Sequence, residues 1–360
     1  MIKHTMAHER IRLTTNRRNF HGNLPRNLSR RGFLGSVGAA GAGISLLSLL
    51  GACGLGSGQQ GEPIGIPPTS RRLKAAFTND SLSHTWCVQG KQAAETWGKW
   101  LGVEITWYDG QASVDQQRKA LDEIASKHWD FVAIQAMAID TLVEPVQRLL
   151  DNNIPVIQID TEIDSSHSIN ITTFIEPDNV YMGNAVATAL FEKMGGQGKV
   201  IMTQGPLGHT GAQGRSKGFY QALGKYPNIE LITKDPADFD VKKTVQLWED
   251  YLARYKDIGG GFFHNDDMAL AAFSVIRKTG RSILLAGIDA MPPAIEAIIN
   301  GSLVATIRNP SCRIHSGAVM VGILAANGTK NIPKHILADG PLVTQDNAAG
   351  LVFLENQFLL

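Results

Sequence analysis

Phe131-Val132-Ala133-Ile134-Gln135, a helical spacing over 143–152, then Pro155-Val156-Ile157-Gln158-Ile159-Asp160: this stretch decides the fold class. A short apolar run closed by polar residues reads as a buried strand, and a longer periodic segment between two such runs reads as a crossover helix. Outward from this unit the same alternation continues in both directions. Apolar runs recur at 73–78, 103–108, 199–203, 230–233, 261–264 and 283–289, and helical spacings at 86–101, 114–127, 181–194, 214–226, 241–255 and 267–279. Strict alternation predicts an α/β fold of parallel sheets covered by helices. So many strands make either one barrel or two doubly wound sheets. Gly195-Gly196-Gln197-Gly198-Lys199 interrupts the chain midway, after a helix, and the pattern then restarts. We read it as a turn at a domain boundary, which favours two doubly wound sheets. It is no phosphate loop, because Val200 stands where a hydroxyl residue would follow the lysine.

The chain has 360 residues, 43% hydrophobic and 19% charged, a globular composition long enough for two domains. Its net charge of +1 conceals an asymmetry. Residues 1–31 carry eight Lys or Arg and a single acid, Glu9; without them 26 basic residues face 32 acidic ones. The body is therefore mildly acidic and offers no basic field for nucleic acid.

Behind the basic leader comes an uncharged stretch, 32–52, rich in Gly, Ala, Ser and Leu and ending at Cys53. Basic, apolar and small-residue regions in that order describe a secretory signal. Ser29-Arg30-Arg31-Gly32-Phe33-Leu34 resembles a twin-arginine signal, and Leu50-Gly51-Ala52-Cys53 resembles a lipobox, which implies a mature chain starting at a lipidated Cys53. A membrane-spanning helix is the alternative for this stretch. Residues 53–72 read as a flexible spacer of Gly, Gln, Pro and Ser. Cys87 and Cys312 lack the spacing of a metal site, and an extracytoplasmic compartment permits either a disulfide or two buried thiols.

Ligands of open α/β sheets bind beyond the carboxyl ends of strands. Asp160, Asn265, Asp289 and Asn309 fall there, each following an apolar run. Taken singly, each is better read as a helix cap or a turn residue. Taken together, short carboxylates and amides suit neutral hydroxyl ligands, while Trp86 and Phe239 offer aromatic faces for an apolar CH surface.

At these residues the chain resembles periplasmic sugar-binding proteins of the ribose-binding type. The likeness is carried by Asn265-Asp266-Asp267-Met268-Ala269, Ala286-Gly287-Ile288-Asp289, Pro236-Ala237-Asp238-Phe239-Asp240 and 154–160, and runs from about 73 to 347. The resemblance implies two Rossmann-like lobes joined by three crossover strands, 73–176 with 309–338 and 177–308 with 339–360. It implies a monomeric binder that closes on a monosaccharide or polyol, needs no cofactor, and engages the permease of an ABC importer from the periplasm or the outer face of the cytoplasmic membrane. Its ligand positions carry over to Ser83, Trp86, Cys87, Asp160, Thr161, Gln213, Phe239, Asn265, Asp289 and Asn309; Asp266 carries over as a capping partner and Arg215 as a structural cation. Thr161 and Gln213 stand where ribose binders place arginines, and Cys87 where they place a second stacking Phe. A guanidinium fork is not interchangeable with a hydroxyl or an amide, so ribose itself is disfavoured.

No GxSxG, HExxH or P-loop pattern marks an enzyme. A sugar-responsive regulator would carry a helix-turn-helix where this chain carries a leader. A sensor feeding a chemotaxis or two-component partner shares the binding lobes and remains the alternative function.

Overall fold

A computed structural model describes residues 71–351. Residues 1–70 and 352–360, which include the expected leader, Cys53 and most of the spacer, lie outside the described residues.

The chain runs β1 (Leu73–Asn79), α1 (Thr85–Leu101), β2 (Val103–Asp109), α2 (Val114–Ala125), β3 (Phe131–Ile134), α3 (Val143–Asp151), β4 (Val156–Ile159) and β5 (Thr173–Glu176). It then runs α4 (Asn179–Lys193), β6 (Gln197–Gln204), α5 (Thr210–Leu223), β7 (Asn228–Pro236), α6 (Val241–Arg254), β8 (Ile258–Phe263), α7 (Asp266–Ile276), β9 (Leu284–Ala286), α8 (Pro292–Ile299) and β10 (Ala305–Ile307). α9 (Ser311–Ala326) and β11 (His335–Leu337) follow, then β12 (Leu342–Thr344) and α10 (Ala348–Leu351). The strands form two six-stranded sheets, β11-β5-β4-β3-β1-β2 and β12-β10-β9-β8-β6-β7, parallel except for β12. Apart from β12, the two sheets repeat one strand order, which rules out the barrel alternative. α9 and β11 return to the first lobe after β10 has finished in the second, so the chain passes between lobes three times.

Each sheet is buried on both faces. Phe77, Phe131, Ile157 and Ile314 pack on one side of the first sheet, and Leu121, Ile134, Val146 and Val156 on the other. In the second lobe Trp248, Phe263, Leu285 and Ile298 cover one face, and Leu190, Phe219, Phe262 and Ile307 the other. Several helix starts are set locally, because Ser113, Asp178, Asp240 and Asn265 each accept a hydrogen bond from the backbone N–H three residues on.

The Gly195–Gly198 stretch is not a domain boundary. α4, which precedes it, already packs on α5 and β10 of the second lobe, so the chain crosses between β5 and α4, at residues 177–178. The glycines serve the turn from α4 into β6, with φ of 71° at Gly195, 71° at Gly196 and 113° at Gly198. Cys87 and Cys312 are both buried free thiols, so no disulfide joins them.

α4 and α5 meet backbone to backbone. A Cβ on Gly218 would lie 2.1 Å from the Val180 carbonyl oxygen, and one on Gly183 would lie 2.2 Å from that of Arg215. Gly218→Ala must separate the helices, and we expect it to destabilise the fold by about 1–3 kcal/mol in urea unfolding. A midpoint equal to that of the parent protein would show that the crossing tolerates a methyl group.

Candidate binding site

Both sheets reverse their strand order, between β1 and β3 and between β6 and β8, and a ligand crevice is expected at the strand carboxyl ends beside such a switch point. The two crevices face each other. Beyond β1, β3 and β4 the first lobe places Asp80, His84, Gln135 and Asp160, and α1 adds Trp86 and Cys87. The second lobe answers with His209, Phe239, Asn265 and Asp289 from the corresponding loops and with Arg215 from α5; Asn309 lies in the crossing after β10. These residues line a narrow cavity of about 30 Å³, room for a water molecule or two with the lobes packed this closely.

Each carboxylate has its own partner. Asp80 Oδ2 lies 3.4 Å from His84 Nδ1, and Cys87 Sγ donates to Asp80 Oδ1 at 3.1 Å. Asp160 Oδ2 accepts from Gln135 Nε2 at 2.9 Å and faces His209 Nε2 across the cleft at 3.9 Å. Asp289 Oδ1 lies 3.4 Å from Arg215 Nη2. Arg215 also donates to Asn179 Oδ1 at 3.0 Å and to the His264 carbonyl, which fixes its planar fork in place. With its carbonyl oxygen turned toward the donors, Asn309 accepts from Arg215 Nη2 at 3.1 Å and from Trp86 Nε1 at 3.0 Å. The ring of Phe239 meets His84 and His209 edge to face, with centroids 5.7 and 5.2 Å away.

Backbone conformation helps aim the acids. Asp160 and Asp289 adopt φ of 60° and 120°, values that non-glycine residues rarely take. Such conformations cluster at binding sites, where the surrounding structure holds them.

Burial raises the Asp80 carboxyl, but His84, His209 and the hydrogen bond from the Cys87 thiol together outweigh it and leave the acid at about 2. Burial pulls His84 down, and the Asp80 charge more than restores it, so the pair favours its ionised form. His209 is held below its ordinary value by burial, against the pull of Asp160 and Asp80. Its Nδ1 accepts from the Ala212 N–H at 3.3 Å, so Nε2 carries the proton and donates toward the cleft. Burial raises Asp289, and Arg215 opposes that rise.

Of the residues expected from the sequence, Trp86, Cys87, Asp160, Phe239, Asn265, Asp289 and Asn309 line this cavity together. Ser83, Thr161 and Gln213 do not. Ser83 is exposed and pairs with Ser81 at 2.7 Å within its turn. Thr161 is buried with its hydroxyl on the Ala136 carbonyl at 2.7 Å, and Gln213 is exposed and donates to the Leu207 carbonyl at 2.9 Å. Asn265 unites its two readings: Oδ1 caps α7 by accepting from Met268 N at 3.0 Å, while the residue lines the cavity. Asp266 is structural, accepting from Met291 N and the Thr306 hydroxyl. Arg215, expected to be structural, is also a wall of the cavity. Asp80, His84, Gln135 and His209 line it as well without having been expected there. The signal for Gln135 was its place directly after a strand, the feature that singled out Asp160.

Two α/β lobes of like topology, three crossings and a polar cavity between strand ends define a two-lobed, cleft-binding protein. The periplasmic binding protein domain family matches residues 75–330. The chain belongs to that family. It is 25% identical over 323 residues to the xylitol-binding protein of Mycolicibacterium smegmatis, covering 89% of this chain and 86% of that one. It is 26% identical to the D-allose-binding periplasmic protein of Escherichia coli, covering 74% of this chain and 90% of the relative. Among solved structures, an ABC transporter solute binding protein from Mycobacterium smegmatis with bound glycerol superposes with a TM-score of 0.73 at 26% identity, over 78% of this chain and 96% of that one. A galactofuranose binding protein reaches a TM-score of 0.76 at 23% identity, over 79% and 99%.

Beneath the cavity, burial depresses His315 to about 4, and its Nδ1 lies 2.7 Å from the Ser311 carbonyl. A histidine that binds its proton more weakly folded than unfolded gives its full stability contribution above about 6.5 and loses it as pH falls through the folded value. The His315 window therefore runs from about 6.5 to about 4. His209 and His264 are depressed in the same direction, while the raised Asp266 and Asp289 act oppositely. Between pH 4.5 and 6.5 we expect the denaturation midpoint to rise less steeply in His315→Gln than in the parent. Equal slopes would mean that His315 binds its proton as readily in the fold as in the unfolded chain.

Proposed function

We propose that this chain is the extracytoplasmic solute-binding component of an ABC importer and binds a neutral monosaccharide or polyol between its lobes. The observation that carries this reading is the cavity wall. Carboxylates on both lobes are set among amide, imidazole and guanidinium donors, so hydroxyl groups can donate and accept on every side. Anionic solutes are disfavoured by Asp80, Asp160 and Asp289 together. The names of the relatives, which include xylitol and D-allose binders, point to the same class.

In the mechanism, solute enters the open cleft and contacts both lobes. Closure is then a population shift set by differential affinity for the closed form, and the permease recognises that form. A micromolar Kd corresponds to about −8 kcal/mol, which a set of charge-assisted hydrogen bonds supplies after ordering costs. No cofactor takes part, and the protein acts as a monomer. The twin-arginine leader exports it, and a lipid on Cys53 holds it at the outer face of the membrane, with 54–72 as the tether.

Calorimetry with xylitol, D-allose, D-ribose, myo-inositol and glycerol tests the ligand class. We expect at least one to bind and Asp289→Ala or Asn265→Ala to weaken it by about 1–3 kcal/mol, since each leaves buried partners unpaired. No binding by any of the five would overturn the reading. The anchor has a separate test: Cys53→Ala should move the exported protein from the membrane fraction to the soluble fraction, and continued sedimentation with membranes would remove the lipid from the mechanism.

A further inference from the structure

We infer that Asp267 is a closure latch: a second-lobe carboxylate that caps first-lobe helix α1 only when the cleft is shut, and so sets affinity without touching solute. α1 has no cap of its own. Its N-cap residue, His84, makes no side-chain capping bond, and no acid lies in its first turn. The need is met from the other lobe. Thr85, the first residue of α1, donates its backbone N–H to Asp267 Oδ2 at 3.1 Å, and its hydroxyl lies 3.0 Å from Oδ1 and 3.1 Å from Oδ2. The first N–H groups of a helix have no partner within it, and a carboxylate there also meets the positive end of the helix dipole.

The neighbouring acids divide two tasks. Asp266 is fully buried and holds the Met291 N–H and the Thr306 hydroxyl of its own lobe, whereas Asp267 is half-buried and reaches across. The cleft rim has two further crossings, Ile139 N–H to the Gly208 carbonyl at 3.0 Å and Glu162 N–H to the Thr210 hydroxyl at 2.9 Å, both between uncharged groups. Neither Thr85 nor Asp267 lines the cavity. A bond made only in the closed state, outside the solute's reach, strengthens every solute by the same factor.

The inference rests on the proposed closure of the lobes around a solute, and its test separates the two. Kd values are measured for Asp267→Ala, Thr85→Ala and the double variant with the two tightest solutes of the calorimetric panel. We expect Asp267→Ala to raise Kd roughly 3- to 30-fold, by the same factor for both solutes, and the double variant to be no weaker than Asp267→Ala alone. Factors that differ between the solutes by more than about threefold would make Asp267 a solute contact; an unchanged Kd, or additive losses in the double variant, would end the latch. The Thr85 amide gives a second readout besides affinity, because its own helix cannot protect it. Saturating solute should slow hydrogen exchange at that amide in the parent and not in Asp267→Ala, and equal slowing in both would overturn the latch.

Discussion

Arg215 brings a permanent positive charge into a space that Asp80, Asp160 and Asp289 would otherwise fill with negative charge. It is almost fully buried, and its fork is committed to Asn179, the His264 carbonyl and Asp289. A buried ion pair seldom repays its desolvation in stability alone, so this one is understood through the cleft it balances. With Arg215 beside Asp289, His84 beside Asp80, and Gln135 and His209 beside Asp160, every acid keeps a partner while its remaining lone pairs face the cavity. The position of Arg215 depends in turn on α5 lying flush against α4, through contacts that only Gly183 and Gly218 allow.

The strand-end rule was the readable part of this site. Asp160, Asn265, Asp289 and Asn309 sit where apolar runs stop, and a run's end is visible in a sequence. His84 and His209 were not readable in that way, because each lies in a loop several residues beyond its strand. What brings them inward is the turn that precedes a helix, since each is the N-cap of the helix that follows. β5, β11 and β12 were also missed. They are three or four residues long, all three beside the crossings between lobes, and too short to show a period.

Thr161 and Gln213 show where carrying positions over from a resemblance breaks down. Asp160 takes a left-handed φ, so the chain turns back at once and the Thr161 hydroxyl finds Ala136 on the adjacent loop instead of the cleft. Gln213 lies two residues from Arg215 on the same helix, a rotation of about 200°, and when Arg215 faces inward Gln213 faces water. An arginine at either position would have to occupy a different direction in space from the side chain found here. The guanidinium of this cavity comes instead from α5 at Arg215.

The return of α9 to the first lobe governs the order in which the molecule can be made. Ile314, Ala318, Val319 and Ile323 of that helix complete the core beneath Phe77 and Phe131, yet they are synthesised after the whole second sheet up to β10. Until they emerge, α1 alone covers that face of the amino-terminal sheet, and its β3–β5 side stays open. The second lobe is contiguous from α4 to β10 and lacks only β12 and α10, whose Val343 and Ala348 join its core later. Neither lobe therefore completes its core until the carboxyl-terminal crossings are made, and the lobe that leaves the ribosome first keeps apolar surface open to other chains while the whole second sheet is synthesised.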